Sequence, residues 1–177
     1  MIRTGLRTIE VTRADVGDIR QETGEAILWI QGKGRDAKDE FVLLTETTLK
    51  SIMDYLLTRG GIKDKEPLFT SLSDRNREQR LTTQSIRKIV KKHLRDIGID
   101  SKRLSAHSLR HTAITLSLLG GATIQQAQVL GRHSDINTTL IYAHNIDRIA
   151  HAPERRIDAV LSDKIETTSE SSFQVYE

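Results

Sequence analysis

Hydrophobic residues recur at helical spacing through most of the chain. In residues 45–59 the apolar side chains fall three or four positions apart, which predicts an amphipathic helix that begins after Thr45 and ends at Gly60. The same spacing predicts further helices, at 8–16, 82–97, 105–119, 123–130, from 134 to just beyond Tyr142, and at 146–161, the last interrupted or begun at Pro153.

Two segments have β-prone apolar runs instead. Residues 26–31 and 40–44 flank a charged, glycine-containing loop at 32–39, and this pattern predicts an antiparallel hairpin. A third short strand is predicted near residues 18–20. The fold class is therefore predicted to be mainly α with a small antiparallel β-sheet, an α+β arrangement.

Composition narrows the class of protein. The 177 residues are 37% hydrophobic and contain no cysteine, so disulfides and thiolate sites are excluded. No apolar run approaches the ~20 residues of a membrane span, and no signal peptide opens the chain, which predicts a cytoplasmic protein without a membrane partner. One domain is expected, followed at residues 162–177 by a Ser/Thr/Glu-rich tail that is predicted to be disordered.

The net charge of +3 is unevenly distributed. Residues 74–110 hold eleven Lys and Arg against four Asp and Glu, whereas residues 146–177 hold four against seven. A basic, amphipathic helix at 82–97 fits a helix that packs on one side and contacts nucleic-acid phosphates with another. A solvated helix face is an equal alternative on charge alone. The candidate DNA-binding residues are Arg87, Lys88, Lys91 and Lys92.

Candidate chemistry is concentrated in residues 106–144, which contain four of the six histidines, Arg110 and Tyr142. Arg and His can bind a non-bridging phosphate oxygen, and Tyr can attack phosphorus. Blander alternatives exist for each residue. His107 and His111 have the spacing of a metal-binding pair, although no third ligand is evident. They could instead have a helix-capping role. Tyr142 alone would be interpreted as a half-buried core aromatic.

Several strings together resemble one family. HSLRHT at 107–112 and LGRHSDINTTLIYAH at 130–144 closely resemble the signature of the tyrosine recombinases, the integrase family of site-specific recombinases. TGLRTIE at 4–10 resembles the segment that holds the family's first catalytic arginine. GKG at 32–34 resembles the hairpin tip that presents its catalytic lysine. The order and spacing of these strings make the resemblance specific over residues 1 to about 145.

The resemblance implies the tyrosine recombinase catalytic-domain fold over residues 1–161 and strand exchange without metal or cofactor, in an integrase of a phage or conjugative transposon. Tyr142 would attack DNA to form a 3′-phosphotyrosyl bond, two arginines and a histidine would bind the phosphate oxygens, and Lys33 would protonate the leaving oxygen. His107 would assist proton transfer at the tyrosine, and Glu10 would orient Arg7 or His107. The implied catalytic residues are Arg7, Lys33, His107, Arg110, His133 and Tyr142.

The chain departs from the family pattern in three respects. Arg132 stands where the family commonly has glycine, and the sequence offers no role for it. Lys38 lies on the same loop as Lys33, which is the favoured lysine. The family's catalytic domain normally starts some tens of residues before its first arginine and follows a separate core-binding domain; a truncated chain lacking both, with weak DNA affinity, is expected.

Double-stranded DNA at recombination sites is the expected partner, with a homotetramer on DNA and a monomer in free solution. The helix at 146–161 would pack either onto a neighbouring protomer or onto its own chain. Three alternatives to a recombinase stay open at this point. They are a type IB topoisomerase-like enzyme, a DNA-binding module such as a helix-turn-helix regulator, and a catalytically incompetent DNA-binding fragment.

Overall fold

The computed structural model describes residues 1–60 and 62–172, with side chains through residue 162 except that of Arg75. The described residues are mainly helical with a small antiparallel sheet, as predicted. In chain order the elements are α1 Thr8–Arg13, β1 Ile19–Glu22, β2 Glu25–Ile30, β3 Glu40–Leu43, α2 Glu46–Arg59, α3 Thr83–Asp96, α4 Ala106–Leu119, α5 Ile124–Gly131, α6 Asn137–Ala150 and α7 Pro153–Ser172.

The sheet has the order β1-β2-β3, and both pairs are antiparallel. Leu28 of the central strand lies opposite Ile19 on one side and Val42 on the other. Ile30 and Leu68 are fully buried in the same core cluster, so the central strand is covered, whereas Phe41 and Leu43 of β3 are about half exposed. The predicted hairpin and the predicted third strand are both confirmed.

Polar side chains cap the helices where the sequence predicts their starts. Thr82, Ser105 and Thr123 each accept a hydrogen bond from a backbone N–H in the first turn of α3, α4 and α5. Such a bond satisfies one of the N–H groups that have no partner inside the helix. These bonds explain why local sequence sufficed to locate the three helix starts.

The helix boundaries near the end of the chain differ from the prediction. Helix α6 continues without a break to Ala150, so Tyr142 lies in its middle and not near its end. No glycine or proline interrupts residues 137–150, and the only proline nearby begins α7 at Pro153. Residues 162–172 belong to α7, where a disordered tail is predicted. Residues 173–177, also in that predicted tail, lie outside the described residues.

Helices α4, α5 and α6 pack against one another and carry most of the candidate chemistry. Small buried residues occupy their contacts, with Ala113 on α4, Ala127 on α5 and Thr139 on α6. Small side chains allow helix axes to approach closely, so functional side chains on different helices can meet. None of the described helices is both long enough and apolar enough to cross a membrane.

Candidate active site

Glu10 is the buried centre of the site, with no exposed surface. Its carboxylate accepts a hydrogen bond from the backbone N–H of Arg7 at 2.6 Å and another from the Arg7 guanidinium at 2.9 Å. Both bonds close the first turn of α1, because Arg7 immediately precedes that helix. A buried carboxylate must be paired and hydrogen-bonded to be tolerated, and these bonds orient the Arg7 side chain.

Arg132, the residue for which the sequence offers no role, supplies the second partner of Glu10. Its Nη2 donates to Glu10 Oε2 at 2.7 Å and to the Gly5 carbonyl at 3.0 Å, and its side chain is only 7% exposed. Its backbone lies in the left-handed region, with φ 45° and ψ 51°, as the residue that ends α5. Glycine, which the family commonly has at this position, would adopt this conformation without strain. The arginine keeps the left-handed turn and adds a buried ion pair.

The backbone of Arg132 also contributes to the site. Its carbonyl accepts a hydrogen bond from Nη2 of Arg7 at 3.1 Å, so the left-handed turn holds the guanidinium that the Glu10 carboxylate already orients. The arginine before α1 and the turn after α5 are 125 residues apart along the chain. Their contact closes one wall of the site.

Arg110 lies on one side of this network, on α4, and is 2% exposed. Its Nη1 donates to the Gly5 carbonyl at 2.5 Å, whereas its buried Nη2 has no hydrogen-bond partner among the described residues. Burial, followed by the charges of Arg7 and Arg132, lowers the pKa of Arg110 to about 10. The guanidinium is still cationic at neutral pH, and one of its N–H groups is available to an anion.

Gly5 is suited to its place because it adopts φ +60°. This left-handed conformation turns its carbonyl toward the two arginine side chains that it accepts from, Arg110 and Arg132. A Cβ at this position would lie 3.0 Å from the Leu130 carbonyl oxygen. The TGLR string therefore has a physical basis, since glycine permits both the turn and the close approach.

His133 is held between two neighbouring residues, Thr139 and Gly131. Its Nδ1 is 2.9 Å from the hydroxyl of Thr139, a fully buried residue of α6, and its ring lies against Gly131, where a Cβ would be only 2.9 Å away. Burial, then Arg110 and Arg7, lowers the pKa of His133 to about 4. The imidazole is therefore neutral at pH 7. In the tautomer whose Nδ1 accepts from the Thr139 hydroxyl, the ring hydrogen is on Nε2, which can then donate.

Tyr142 faces the histidines of α4 from the middle of α6. Its hydroxyl makes a hydrogen bond with Nδ1 of His111, and the two ring centroids are 5.4 Å apart. The His107 ring meets His111 edge-on at 4.4 Å, and the His133 ring is 6.3 Å from that of Tyr142. The resemblance implies that His107 assists proton transfer at the tyrosine; the direct hydrogen-bond partner of the hydroxyl in the structure is His111.

The alternative that His107 and His111 form a metal-binding pair needs a third ligand, and the described side chains do not supply one. Among the side chains that the structure describes, no group of three or more His, Asp or Glu is arranged to hold a metal ion. The two imidazoles stack edge to face, and one of them is engaged with Tyr142.

Lys33 and Lys38, the two lysines of the β2–β3 loop, have different environments. Lys38 is held by Asp15 at 2.7 Å and Asp18 at 2.5 Å. Lys33 is exposed and lines a cleft of about 850 Å³ together with Arg7, His107 and Arg110. The geometry favours Lys33 as the lysine of the site, in line with the sequence preference.

The four predicted DNA-binding residues of α3 do not share one environment. Arg87 lines the same cleft as Arg7 and Lys33, and Lys92 is exposed. Lys91 donates to the carbonyl oxygens of Ser101 and Leu104, which ties α3 to the segment before α4. Lys88 lines a separate groove on the other side of α3.

Four of the six predicted catalytic residues line one cleft: Arg7, Lys33, His107 and Arg110. The rings of His133 and Tyr142 face each other, and Tyr142 contacts His111, whose ring meets that of His107. Sequence reasoning missed three contributors: Arg132 as a partner of Glu10, His111 as the partner of Tyr142, and Thr139 as the partner of His133. For His111, the signal available in the sequence was its helical spacing from His107. The Arg132–Glu10 pair joins residues 122 positions apart, and the His133–Thr139 contact spans the six positions between the end of α5 and the start of α6.

A tyrosine hydroxyl beside a histidine, with a buried arginine that has one N–H group without a partner among the described residues, is an arrangement suited to attack on a phosphodiester. Comparison with known proteins agrees. Residues 1–148 match the phage integrase family, and the chain belongs to this family.

Curated relatives extend the match. The chain is 38% identical over 146 residues to tyrosine recombinase XerC of Caldanaerobacter subterraneus subsp. tengcongensis, covering 81% of this chain and 38% of that protein. It is 36% identical over 147 residues to tyrosine recombinase XerD of Yersinia pestis, covering 80% of this chain and 46% of that protein. The chain therefore spans less than half the length of these relatives.

Solved structures have the same fold. The crystal structure of XerA recombinase superposes with a TM-score of 0.67 at 29% identity, covering 86% of this chain and 54% of that one. The XerH site-specific recombinase, bound to its difH substrate in a pre-cleavage complex, gives 0.66 at 26% identity, covering 85% of this chain and 42% of that one. The predicted tyrosine recombinase catalytic-domain fold is confirmed.

Proposed function

We propose that this chain is the catalytic domain of a site-specific DNA recombinase that cleaves and rejoins double-stranded DNA, with Tyr142 as the nucleophile. The observation that carries the proposal is the Nη2 group of Arg110, which is buried, cationic and without a partner among the described residues. Buried polar groups are nearly always hydrogen-bonded. A phosphate oxygen entering the cleft beside Tyr142 would satisfy this donor and be favoured by its charge.

The phosphate-binding roles follow from charge and exposure. Arg7 is held by Glu10 and by the Arg132 carbonyl yet keeps 30% of its side chain exposed, so it can meet a second non-bridging oxygen. A guanidinium held in place before the reaction stabilises developing negative charge without reorganisation. The neutral His133, with Nδ1 engaged by Thr139, would donate from Nε2 as a third ligand.

The chemical step would proceed through a covalent bond to the protein. The Tyr142 oxygen attacks phosphorus, a 3′-phosphotyrosyl bond forms, and the bond to the 5′-oxygen breaks. Lys33, exposed on the loop over the cleft, would protonate that leaving oxygen. The phosphotyrosyl bond keeps the energy of the phosphodiester, so a partner strand can be joined without metal, nucleotide or other cofactor.

DNA contacts away from the reacting phosphate would come from α3. Arg87 lies on the cleft wall, and Lys88 and Lys92 are exposed on other faces of the helix. Lys91 is occupied by two carbonyl groups and would act on DNA through its charge rather than through a direct contact. Loss of Arg87 should therefore weaken DNA binding more than loss of Lys91.

A homotetramer on DNA and a monomer in free solution form the assembly part of the proposal. Apolar residues of the last helices are more than half exposed, which supports packing against a neighbouring protomer: Ile149 at 68%, Ile157 at 58%, Val160 at 56% and Leu161 at 54%. Exposed apolar groups of this kind are typical of interaction surfaces. The physiological role would be DNA integration or excision in a mobile element.

Covalent trapping tests the function even though the DNA target sequence is unidentified. The full chain is incubated with a pool of randomised duplexes that carry a nick close to the scissile position, so the short cleaved fragment diffuses away. We expect a denaturant-resistant adduct, with the DNA linked to Tyr142 by peptide mapping, and none with Tyr142→Phe. An adduct on a different residue, or one retained in Tyr142→Phe, would contradict the proposal.

The recovered sequences then separate recombination from simple nicking and closing. Substrates built from them are tested for strand exchange between two duplexes and for relaxation of supercoiled plasmid. Strand exchange is expected at the selected site. Relaxation of plasmids regardless of sequence, without exchange, would indicate a topoisomerase-like enzyme instead.

A further inference from the structure

The direct neighbour of the Tyr142 hydroxyl is His111, a residue that is not among the catalytic residues implied by the resemblance. The hydrogen bond joins the hydroxyl to Nδ1 across the contact between α4 and α6. The rings are inclined by 29°, with centroids 5.4 Å apart. This geometry allows a proton to pass along the bond without a change of rotamer.

We propose that His111, rather than His107, accepts the proton of Tyr142 when the tyrosine attacks the DNA phosphate. The proposal rests on the function proposed above and names a further catalytic residue for it. The requirement on His111 is a neutral ring with its hydrogen on Nε2, which leaves the Nδ1 lone pair pointing at the hydroxyl.

The need for such a base follows from the environment of the tyrosine. A free tyrosine has a pKa of ~10, so almost none is ionised at neutral pH. Burial raises the pKa of Tyr142 further, and the charge of Arg110 only partly opposes this. A proton acceptor in contact with the hydroxyl can take its proton as the oxygen attacks, so the tyrosine need not ionise beforehand.

Other groups around His111 point elsewhere. His107 meets His111 edge-on and lines the cleft with Arg7 and Arg110, on the side where a phosphate would bind. His133 is engaged with Thr139 through its Nδ1. The hydrogen bond of the Tyr142 hydroxyl is made with His111, so His111, rather than these groups or Arg87 of α3 at the cleft wall, is placed to accept its proton.

The proton and the electron pairs are all accounted for in this step. The proton moves from the Tyr142 oxygen to Nδ1 of His111 while that oxygen forms its bond to phosphorus. The bond from phosphorus to the 5′-oxygen breaks, and the 5′-oxygen takes a proton from Lys33. His111 is exposed, so its imidazolium form is solvated, and it can return the proton to the tyrosine oxygen when the strand is rejoined.

Chemical rescue separates a base from a structural residue. On a trapped DNA sequence, His111→Ala should form the covalent adduct ~10²–10⁴-fold more slowly than wild type, and free imidazole should restore part of the rate. A substrate with sulfur in place of the 5′-bridging oxygen should not restore it, because sulfur leaves without a proton and relieves only loss of the acid. His144→Ala, an exposed histidine of α6, is the matched control.

The proposal is overturned if His111→Ala forms the adduct within about threefold of wild type, well short of the loss expected for a base. A loss that sulfur restores and imidazole does not would also overturn it. Nitrogen NMR of the wild-type protein is a second test that does not depend on the folding of any variant. A hydrogen on Nδ1 of His111 at neutral pH would exclude His111 as the acceptor. Absence of any wild-type adduct would count against the proposed function, whereas the NMR result concerns His111 alone.

Discussion

Arg132 and Glu10 form a buried ion pair, with Nη2 and Oε2 2.7 Å apart, between residues separated by 122 positions in the sequence. The same carboxylate holds Arg7, so one acidic group fixes two guanidinium groups that approach from opposite ends of the chain. The pair ties the start of α1 to the end of α5. It also explains how an arginine can replace glycine in a left-handed turn.

Glu10→Gln should destabilise the protein strongly. The substitution keeps the shape of the side chain but removes the buried counter-charge that Arg7 and Arg132 share, a change that typically costs ~3–5 kcal/mol. Urea unfolding followed by circular dichroism measures the free energy of unfolding. Glu40→Gln is the control, since Glu40 is 3.9 Å from Arg132 and a third exposed, and it should cost at most ~1 kcal/mol. Equal effects of the two substitutions would show that Glu10 is not the centre of the network.

Arg132→Gly should destabilise although it relieves an unfavourable backbone. A left-handed conformation costs an L-residue ~1–2 kcal/mol, which glycine avoids. Loss of the buried pair outweighs this gain, so we expect a net loss of ~2 kcal/mol or more in the free energy of unfolding.

Glu78→Gly is the matched control, because Glu78 has φ 65° but is exposed. Glycine removes the cost of the left-handed backbone conformation, but its greater entropy in the unfolded chain offsets part of this gain. The free energy of unfolding should therefore increase by between zero and ~1 kcal/mol. An Arg132→Gly protein as stable as this control would mean that the ion pair contributes nothing net.

The stability of the protein should fall between about pH 6.5 and about pH 4 in part through His133. Burial, with Arg110 and Arg7, lowers the folded-state pKa of His133 to about 4, whereas an unfolded histidine has a pKa of ~6.5. Within this window the unfolded chain binds more protons, so the free energy of unfolding decreases as the pH is lowered. Burial also lowers the pKa of His107, which acts in the same direction.

Urea unfolding at several pH values checks this dependence. His133→Gln removes the titrating group, so the loss of stability across the window should be smaller in this variant than in wild type. His144→Gln, at an exposed position on α6, should leave the pH dependence of wild type unchanged. Parallel curves for wild type and His133→Gln would contradict the assignment.

The two loop lysines should give opposite phenotypes. Lys38→Met leaves Asp15 and Asp18 without their shared partner and should lower the free energy of unfolding by ~1–3 kcal/mol, with little effect on cleavage by the folded protein. Lys33→Met should leave stability unchanged and slow adduct formation ~10²–10⁴-fold. The 5′-bridging sulfur substrate should restore cleavage by Lys33→Met. A cleavage defect in Lys38→Met that sulfur relieves would exchange the two roles.

Local sequence was sufficient for much of the fold and for part of the site. The hydroxyl caps at Thr82, Ser105 and Thr123 and the turn residues of the hairpin act within a few positions, so pattern alone located α3, α4, α5 and the sheet. The spacing of His107 and Arg110 is likewise local, since residues three apart share a helix face. The boundary between α6 and α7 was misplaced, because no breaker precedes Pro153 and periodicity alone does not divide two consecutive helices.

Residue type and short-range spacing allowed the candidate catalytic residues to be predicted from the sequence. Which side chains are in contact follows from the fold alone. Glu10 with Arg132, Gly5 with Arg110, and Tyr142 with His111 are contacts across 122, 105 and 31 positions. Such pairings depend on how α1, α4, α5 and α6 pack together, and no local preference encodes that packing. The role of Arg132 could therefore be read only from the folded chain.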